Sequence, residues 1–263
     1  MKWQCWHCSE RGKSLVTLAR KLDLTREQIT ELKTLLSADD AKKYAQHNEY
    51  TSTELALPSE FSPLWKPLTT LSYRHALAYI LKRGISVPEI IRYNIGYCAM
   101  GPYAGRIIVP SYNEQNVLNY FVARSYYGNN SLKYKNPPVS KDVVVFDQLV
   151  NWEMGSVILC EGVFDAMAIK WNAIPLLGKH LPPALLTKMI EKHTQSVAIM
   201  LDADAQGPAT KLAEKLVGLG LDVHNVVLGS KDAGDSLLPE IWGAISNSST
   251  HSFKDFITQK LEN

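Results

Sequence analysis

Three short apolar runs stand out along the chain: Val157-Ile158-Leu159-Cys160, Val197-Ala198-Ile199-Met200-Leu201 and the stretch from Val223 to Leu228. Runs of this length without polar alternation predict strands covered on both faces, the signature of a parallel sheet flanked by helices. Helical spacing separates them. Phe164, Met167, Ala168 and Trp171 follow the first run. Ala209, Leu212, Ala213, Leu216 and Val217 follow the second, with Gly207-Pro208 in front and Gly218 and Gly220 behind. Strand, helix and strand in succession predict a right-handed crossover and parallel pairing.

Upstream the pattern changes. Thr25 can cap a helix, Gln28 can complete its capping box, Leu24 and Ile29 can form the hydrophobic staple, and Ile29, Leu32, Leu35 and Leu36 share one face. Residues 48–67 lose periodicity and gather Thr51, Ser52, Thr53, Pro58, Pro63 and Pro67, which predicts a linker. A helix from about Ser72 to Arg83 turns Ala76, Leu77, Ile80 and Leu81 inward and stops at Gly84, and a shorter one begins at Pro88; both read as scaffold. Arg106 to Pro110 and Asn119 to Arg124 read as two strands around the turn Asn113-Glu114-Gln115-Asn116. At the far end, Phe253, Phe256, Ile257 and Leu261 predict a short helix within 248–263. The expected divisions are 1–47, a linker over 48–67, a basic subdomain over 68–150, and an α/β domain with its C-terminal helix over 151–263.

Composition adds boundaries. The chain has 263 residues, 46% of them hydrophobic and 21% charged, which suits a globular protein with room for two domains. A net charge of +2 selects no class of partner by itself. Four cysteines, with no signal-peptide pattern and no apolar run of membrane-spanning length, point to a reducing, cytoplasmic setting. No internal repeat and no low-complexity tract is present.

The chemistry lies where the apolar runs stop. The first ends in Glu161-Gly162 with Asp165 just beyond, the second in Asp202-Ala203-Asp204, and the third is followed by Lys231-Asp232-Ala233-Gly234-Asp235. Ligands of open parallel sheets sit at the carboxyl ends of the strands, so these acidic groups are expected to converge. Gathered carboxylates repel and raise one another's pKa unless a cation is present. Hard oxygen ligands in an open cleft suit magnesium, with metal-assisted phosphoryl transfer as the implied chemistry. Just upstream, residues 101–141 carry Arg106, Arg124, Lys133, Lys135 and Lys141 against the single acid Glu114, interleaved with Tyr120, Tyr126, Tyr127 and Tyr134. Two readings stay open for this block: a surface for single-stranded nucleic acid and nucleotides, or a solvated basic face over core tyrosines. Cys5 and Cys8 form a C-x-x-C pair, either half of a four-ligand zinc site or two ordinary thiols.

Glu161-Gly162-Val163-Phe164-Asp165, Asp202-Ala203-Asp204 and Lys231-Asp232-Ala233-Gly234-Asp235, in that order, resemble the three signatures of the TOPRIM domain shared by DnaG-type primases, topoisomerases and some nucleases. Gly105-Arg106-Ile107-Ile108-Val109-Pro110, Phe121-Val122-Ala123-Arg124 and Lys133-Tyr134-Lys135-Asn136-Pro137 resemble the basic part of a primase RNA polymerase domain, with bacteriophage primases the nearer match. Trp3 to Cys8 with Gly12 resembles the second half of a primase zinc ribbon.

The resemblance implies a DNA primase catalytic domain that makes short RNA primers on single-stranded DNA from NTPs. Glu161, Asp202 and Asp204 would be catalytic. Glu161, Asp165, Asp202, Asp204, Asp232 and Asp235 would hold or support Mg2+ or Mn2+. Arg106, Arg124, Lys133, Tyr134, Lys135, Asn136 and Lys231 would contact template or triphosphate, and Cys5 and Cys8 would give two zinc ligands. The replicative helicase is expected on a separate chain, since no G-x-x-x-x-G-K-[ST] loop occurs in the sequence. A phage-encoded enzyme would act in the cytoplasm of its bacterial host. The rival readings are a TOPRIM-type nuclease using the same carboxylates and a non-catalytic nucleic-acid-binding replication subunit.

Overall fold

The first two apolar runs become adjacent strands, and the third does so over residues 223–225 only, with 226–228 beyond the strand. A computed structural model of the chain describes residues 55–128, 132–228 and 233–248, with Thr25 and the backbone of the short strands β1 (Trp3–Gln4), β2 (Arg11–Gly12) and β11 (Thr250–His251). The chain divides into two units, Met1–Glu54 and Leu55–Asn263. In the first, β1 and β2 pair antiparallel, Trp3 opposite Gly12. Cys5, Cys8 and the helix expected after Thr25 lie outside the described residues.

The second unit is built on two sheets. One holds β7 (Ser156–Cys160), β8 (Ala173–Pro175), β9 (Ser196–Met200), β10 (Asp222–Asn225) and β11 in the order β11-β10-β9-β7-β8. All pairs are parallel except β10 with β11. Side chains alternate across the two faces, as the two-residue period of a strand requires. Val157, Leu159, Val197, Ile199 and Val223 pack on Leu185 and Met189 of helix α4 (Pro183–Glu191) and on Ala209, Leu212, Ala213 and Leu216 of α5 (Gln206–Val217). Ile158, Cys160, Ala198 and Met200 face the other way, onto Val163, Phe164, Ala166 and Met167 of α3 (Val163–Ile169). Two covered faces explain why β7 and β9 carry no polar alternation. The segment after Ser248 departs from expectation: Thr250–His251 is an edge strand where a helix was expected to begin, and 252–263 lie outside the described residues.

The other sheet is antiparallel, β3 (Phe61–Pro63), β4 (Gly96–Cys98), β5 (Arg106–Tyr112) and β6 (Leu118–Ser125) in that order. The linker expected over 48–67 is thus corrected at its C-terminal end. Leu55, Leu57 and Phe61 pack on the outer face of this sheet against Cys98, Ile108, Phe121 and Ala123, and Leu64 is buried in the main core. Prolines obscured the strand, and an edge position tolerates them because one side of the backbone needs no partner. Gly96, paired with Pro63, is required beside the Phe61 ring, since a Cβ there would meet that ring at 2.3 Å.

Helices α1 (Leu71–Lys82) and α2 (Val87–Arg92) cover the inner face. Thr70 caps α1 through its hydroxyl, which accepts from the Tyr73 amide at 3.3 Å, and Gly84 at φ +73 turns the chain out after Arg83. The side chain of Glu89 accepts from the Ser86 amide at 2.7 Å, closing a capping box on α2, and also pairs with Lys170 beyond α3 at 3.3 Å. The inner face of the antiparallel sheet (Ile107, Val109, Tyr120, Val122) and the α3 side of the parallel sheet belong to one continuous core. Polar contacts seal the same junction: Glu114, in the β5–β6 turn, meets Lys188 of α4 and Lys192 at its C-cap at 2.6 Å each. Lys188 also reaches the buried Asp147 at 3.3 Å, which accepts from the Trp152 indole at 2.9 Å.

The last helix, α6 (Leu238–Ser246), buries Ile241 and sets Trp242 edge-on to Trp171. Among the described residues no helix is long and apolar enough to cross a membrane.

Candidate active site

Strand register assembles the acidic group. Cys160 of β7 pairs with Met200 of β9, so the residues that follow, Glu161 and then Leu201-Asp202, emerge side by side at the same edge of the sheet. Asp204 follows within a single turn of 3-10 helix, Ala203–Asp204–Ala205. The outcome is that Glu161, Asp202 and Asp204 offer carboxylate oxygens that all lie within 4.8 Å of one another.

Burial and like charge act together on Glu161. Desolvation is the larger cause, with Asp202 and then Asp204 adding to it, and they hold its carboxyl above the usual glutamate range while Lys179 opposes them. One oxygen, Oε2, is buried with no hydrogen-bond partner. An orphaned carboxylate oxygen beside two further carboxylates is a donor set that fits a hard divalent cation. Desolvation and the neighbouring carboxylates also push the fully buried Cys160 thiol well up, so it stays a neutral core residue.

Asp165 takes a different place. On the first turn of α3 it accepts from the Gly162 amide at 2.8 Å through Oδ2 and from the Gly234 amide at 2.9 Å through Oδ1. It therefore clasps the third acidic loop to the first. Among the described residues Asp165 is not part of the three-carboxylate group. Lys231 and Asp232 lie outside the described residues. Asp235 closes a short 3-10 turn, Ala233–Asp235, with its side chain outside the description.

Glu161, Asp165 and Asp202 line an open cleft of about 450 Å³ together with a basic wall of Arg83, Arg124, Lys133 and Lys141, with Tyr134 and Asn136. Residues 133–135 extend β6 as an irregular edge: Arg124 bridges Tyr134, the Ser125 amide donates to Lys133 O at 3.0 Å, and the Lys135 amide donates to Ala123 O at 2.9 Å. That pairing lays the Arg124 guanidinium over the Tyr134 ring at 5.2 Å and lets it donate to the Tyr134 hydroxyl at 2.7 Å. Arg83 and Arg124 each sit 4.9 Å from the Phe164 ring, which places two guanidiniums beside the first acidic motif.

Of the residues expected to contact substrate, Arg124, Lys133, Tyr134 and Asn136 line the cleft, Arg106 and Lys135 do not, and Lys231 lies outside the described residues. Arg106 is only 5% exposed, and its guanidinium donates to the carbonyls of Leu132 at 2.8 Å and Lys133 at 3.3 Å. It supports the segment that carries Lys133 and Tyr134. Lys135 turns away to donate to Pro102 O at 2.6 Å and lies over the Tyr103 ring. The tyrosines split likewise: Tyr120 and Tyr126 are core, Tyr134 faces the cleft, and Tyr127 packs on His75 and Tyr126.

Two cleft-lining cations, Arg83 and Lys141, and Lys179 beside Asp204 went unassigned from sequence. Arg83 ends α1 and read as scaffold, although a charged residue directly before the helix-ending Gly84 was a signal for an exposed helix terminus. Lys141 belonged to the basic block without a role. Lys179 follows β8, a strand of only three residues that no periodicity reveals.

No family model matches the chain. It is 30% identical over 139 residues to the DNA primase of Thermotoga maritima, a match covering 47% of this chain and 24% of that protein, so the chain spans well under two thirds of its relative. Among solved structures, the DnaG primase catalytic domain bound to single-stranded DNA superposes with a TM-score of 0.62 at 17% identity, over 74% of this chain and 77% of that one. The zinc-binding and RNA polymerase domains of Aquifex aeolicus primase give 0.57 at 18% identity, over the whole of this chain and 76% of that one. The fold is that of a DnaG-type primase catalytic core, a mixed α/β architecture with a parallel sheet and flanking helices. It carries a three-carboxylate group of the kind that holds a divalent cation.

Proposed function

We propose that the chain is the catalytic domain of a DNA primase, which joins nucleoside triphosphates into short RNA primers on a single-stranded DNA template. The observation that carries this reading is a cleft lined by Glu161 and Asp202 of the three-carboxylate group, with Asp165 beside them, and by Arg83, Arg124, Lys133 and Lys141. A triphosphate needs both: counter-charge along its length and a metal-holding group at the phosphorus that reacts. The sequence likeness to the Thermotoga primase supports it.

In this reading Glu161, Asp202 and Asp204 hold Mg2+ or Mn2+, which supplies charge neutralisation and activation of the attacking oxygen. The 3′-hydroxyl of one nucleotide forms a bond to the α-phosphorus of the next. The bond to the β-phosphate oxygen breaks, pyrophosphate leaves, and the hydroxyl proton passes to a carboxylate of the site, with Glu161 as the candidate acceptor. Arg83, Arg124 and Lys133 bind the phosphates, Tyr134 offers a ring face to an unpaired base, and Arg106 and Asp165 keep the two walls in place. The reading also assigns to this site Lys231 and Asp232, which lie outside the described residues, and Asp235, whose side chain does. Single-stranded DNA and NTPs are the substrates, the helicase is a separate chain, and Cys5 and Cys8 contribute to zinc binding. The protein works in the cytoplasm, that of a bacterial host if it is phage-encoded.

The test incubates the full chain with single-stranded DNA, labelled NTPs and Mg2+ or Mn2+. Short RNA products that vanish in Glu161→Gln are expected. Metal-dependent loss of the DNA without NTP incorporation would make the protein a nuclease, and binding without turnover a non-catalytic subunit.

A further inference from the structure

One cation stands apart from the basic wall. Lys179 lies in the loop between β8 and α4, on the acidic side of the cleft, and its ammonium pairs with Asp204 Oδ2 at 2.9 Å. The loop is fixed where it leaves the sheet: the Leu176 amide donates to Cys160 O at 2.9 Å and the Gly178 amide to Glu161 O at 3.3 Å. The strand order puts β8 and β9 on opposite sides of β7, so Lys179 reaches from one flank of the Glu161 strand end to the carboxylate on the other. Its side chain is 32% exposed and that of Asp204 is 77% exposed, so either can leave the pair for solvent at small cost.

We propose that Lys179 is a tethered counter-ion of the acidic group, pairing with Asp204 while no divalent cation is bound, so that metal binding must displace it. The inference rests on the reading of Glu161, Asp202 and Asp204 as a metal site and adds what sets its affinity. With three carboxylates this close, some positive charge is needed whenever metal is absent. A side chain on the same chain supplies it at high effective concentration. Two cations cannot share one carboxylate oxygen without repulsion, so the lysine raises the metal concentration at which the site fills. The chain thereby trades tight metal binding for an acidic group whose charge is partly balanced when it is empty.

The test is direct Mn2+ binding to the full chain, followed by the loss of the free-ion electron paramagnetic resonance signal. Wild type is compared with Lys179→Met, which keeps the length and removes the charge, and with Lys179→Arg, which keeps the charge. Lys179→Met should bind about two- to fivefold more tightly, the fold-change that corresponds to an exposed ion pair, while Lys179→Arg stays near wild type. Equal or weaker binding by Lys179→Met overturns the proposal, as does equal tightening in both variants, which would mark a steric effect. Failure of the underlying metal site looks different: wild-type binding that is unchanged by Asp202→Asn would place the ion elsewhere and remove the basis for the inference.

Discussion

Replacing Asp165 by Ala separates holding the site from holding the metal. The carboxylate accepts two backbone amides, Gly162 at 2.8 Å and Gly234 at 2.9 Å, which join the loop after β7 to the loop before α6. A hydrogen bond to a charged acceptor contributes about 1.5–3 kcal/mol, and both glycines are half-buried, so water replaces part of each. The expected loss is about 2–4 kcal/mol, near the cost of breaking a small buried network. In a unit of this size that lowers Tm by roughly 5–15 °C. Thermal unfolding followed by tryptophan fluorescence reads it, with Trp171 and Trp242 in ring contact close to the affected loops. Mn2+ affinity of the folded variant should fall much less than in Asp202→Asn. A variant that unfolds within about 0.5 kcal/mol of wild type, or that loses metal as completely as Asp202→Asn, would refute the clasp.

Three further outcomes are expected. Glu161 has its pKa raised in the folded state by burial and by Asp202, so the folded chain binds its proton more tightly than the unfolded chain and stability falls as pH rises through that window. Without divalent ions, Glu161→Gln should therefore be the more stable protein near pH 7, with the difference shrinking toward about pH 4; a difference independent of pH would contradict this. Arg83→Ala should raise KM for NTPs by about 10- to 100-fold, measured by initial rates of dinucleotide formation, with an unchanged circular dichroism spectrum. Met167→Ala, at a fully buried position of α3, should lose about 2–5 kcal/mol in chemical denaturation.

The acidic wall was legible because β7 and β9 are buried on both faces and end in carboxylates, so the apolar runs mark both the strands and their chemically active ends. The parallel register that brings Glu161 to Asp202 follows from the crossover rule. The basic wall was legible only as composition. Arg106 opens a strand and reads like an exposed cation, and nothing local shows that two carbonyls 26 and 27 residues away satisfy it in the interior. Lys135 differs from Lys133 only in where an edge segment turns. Strands β3, β4 and β8 are three residues long, too short for a two-residue period to emerge, and β3 was further masked by prolines. Lys179 was lost with β8, because a loop residue gains meaning only from the strand that precedes it.

The continuous core beneath the cleft bears on how such a site can change over time. Phe164 belongs to the interior shared by both sheets, and its ring also seats Arg83 and Arg124. Glu114 and Lys188 tie the outer rims. The substrate-holding side and the metal-holding side are therefore not interchangeable cassettes: a graft of one onto a foreign partner would arrive without the surface it was shaped against. Variation in specificity has to come from side chains at the rim, such as Lys179 and Lys141, where a substitution leaves the shared interior intact.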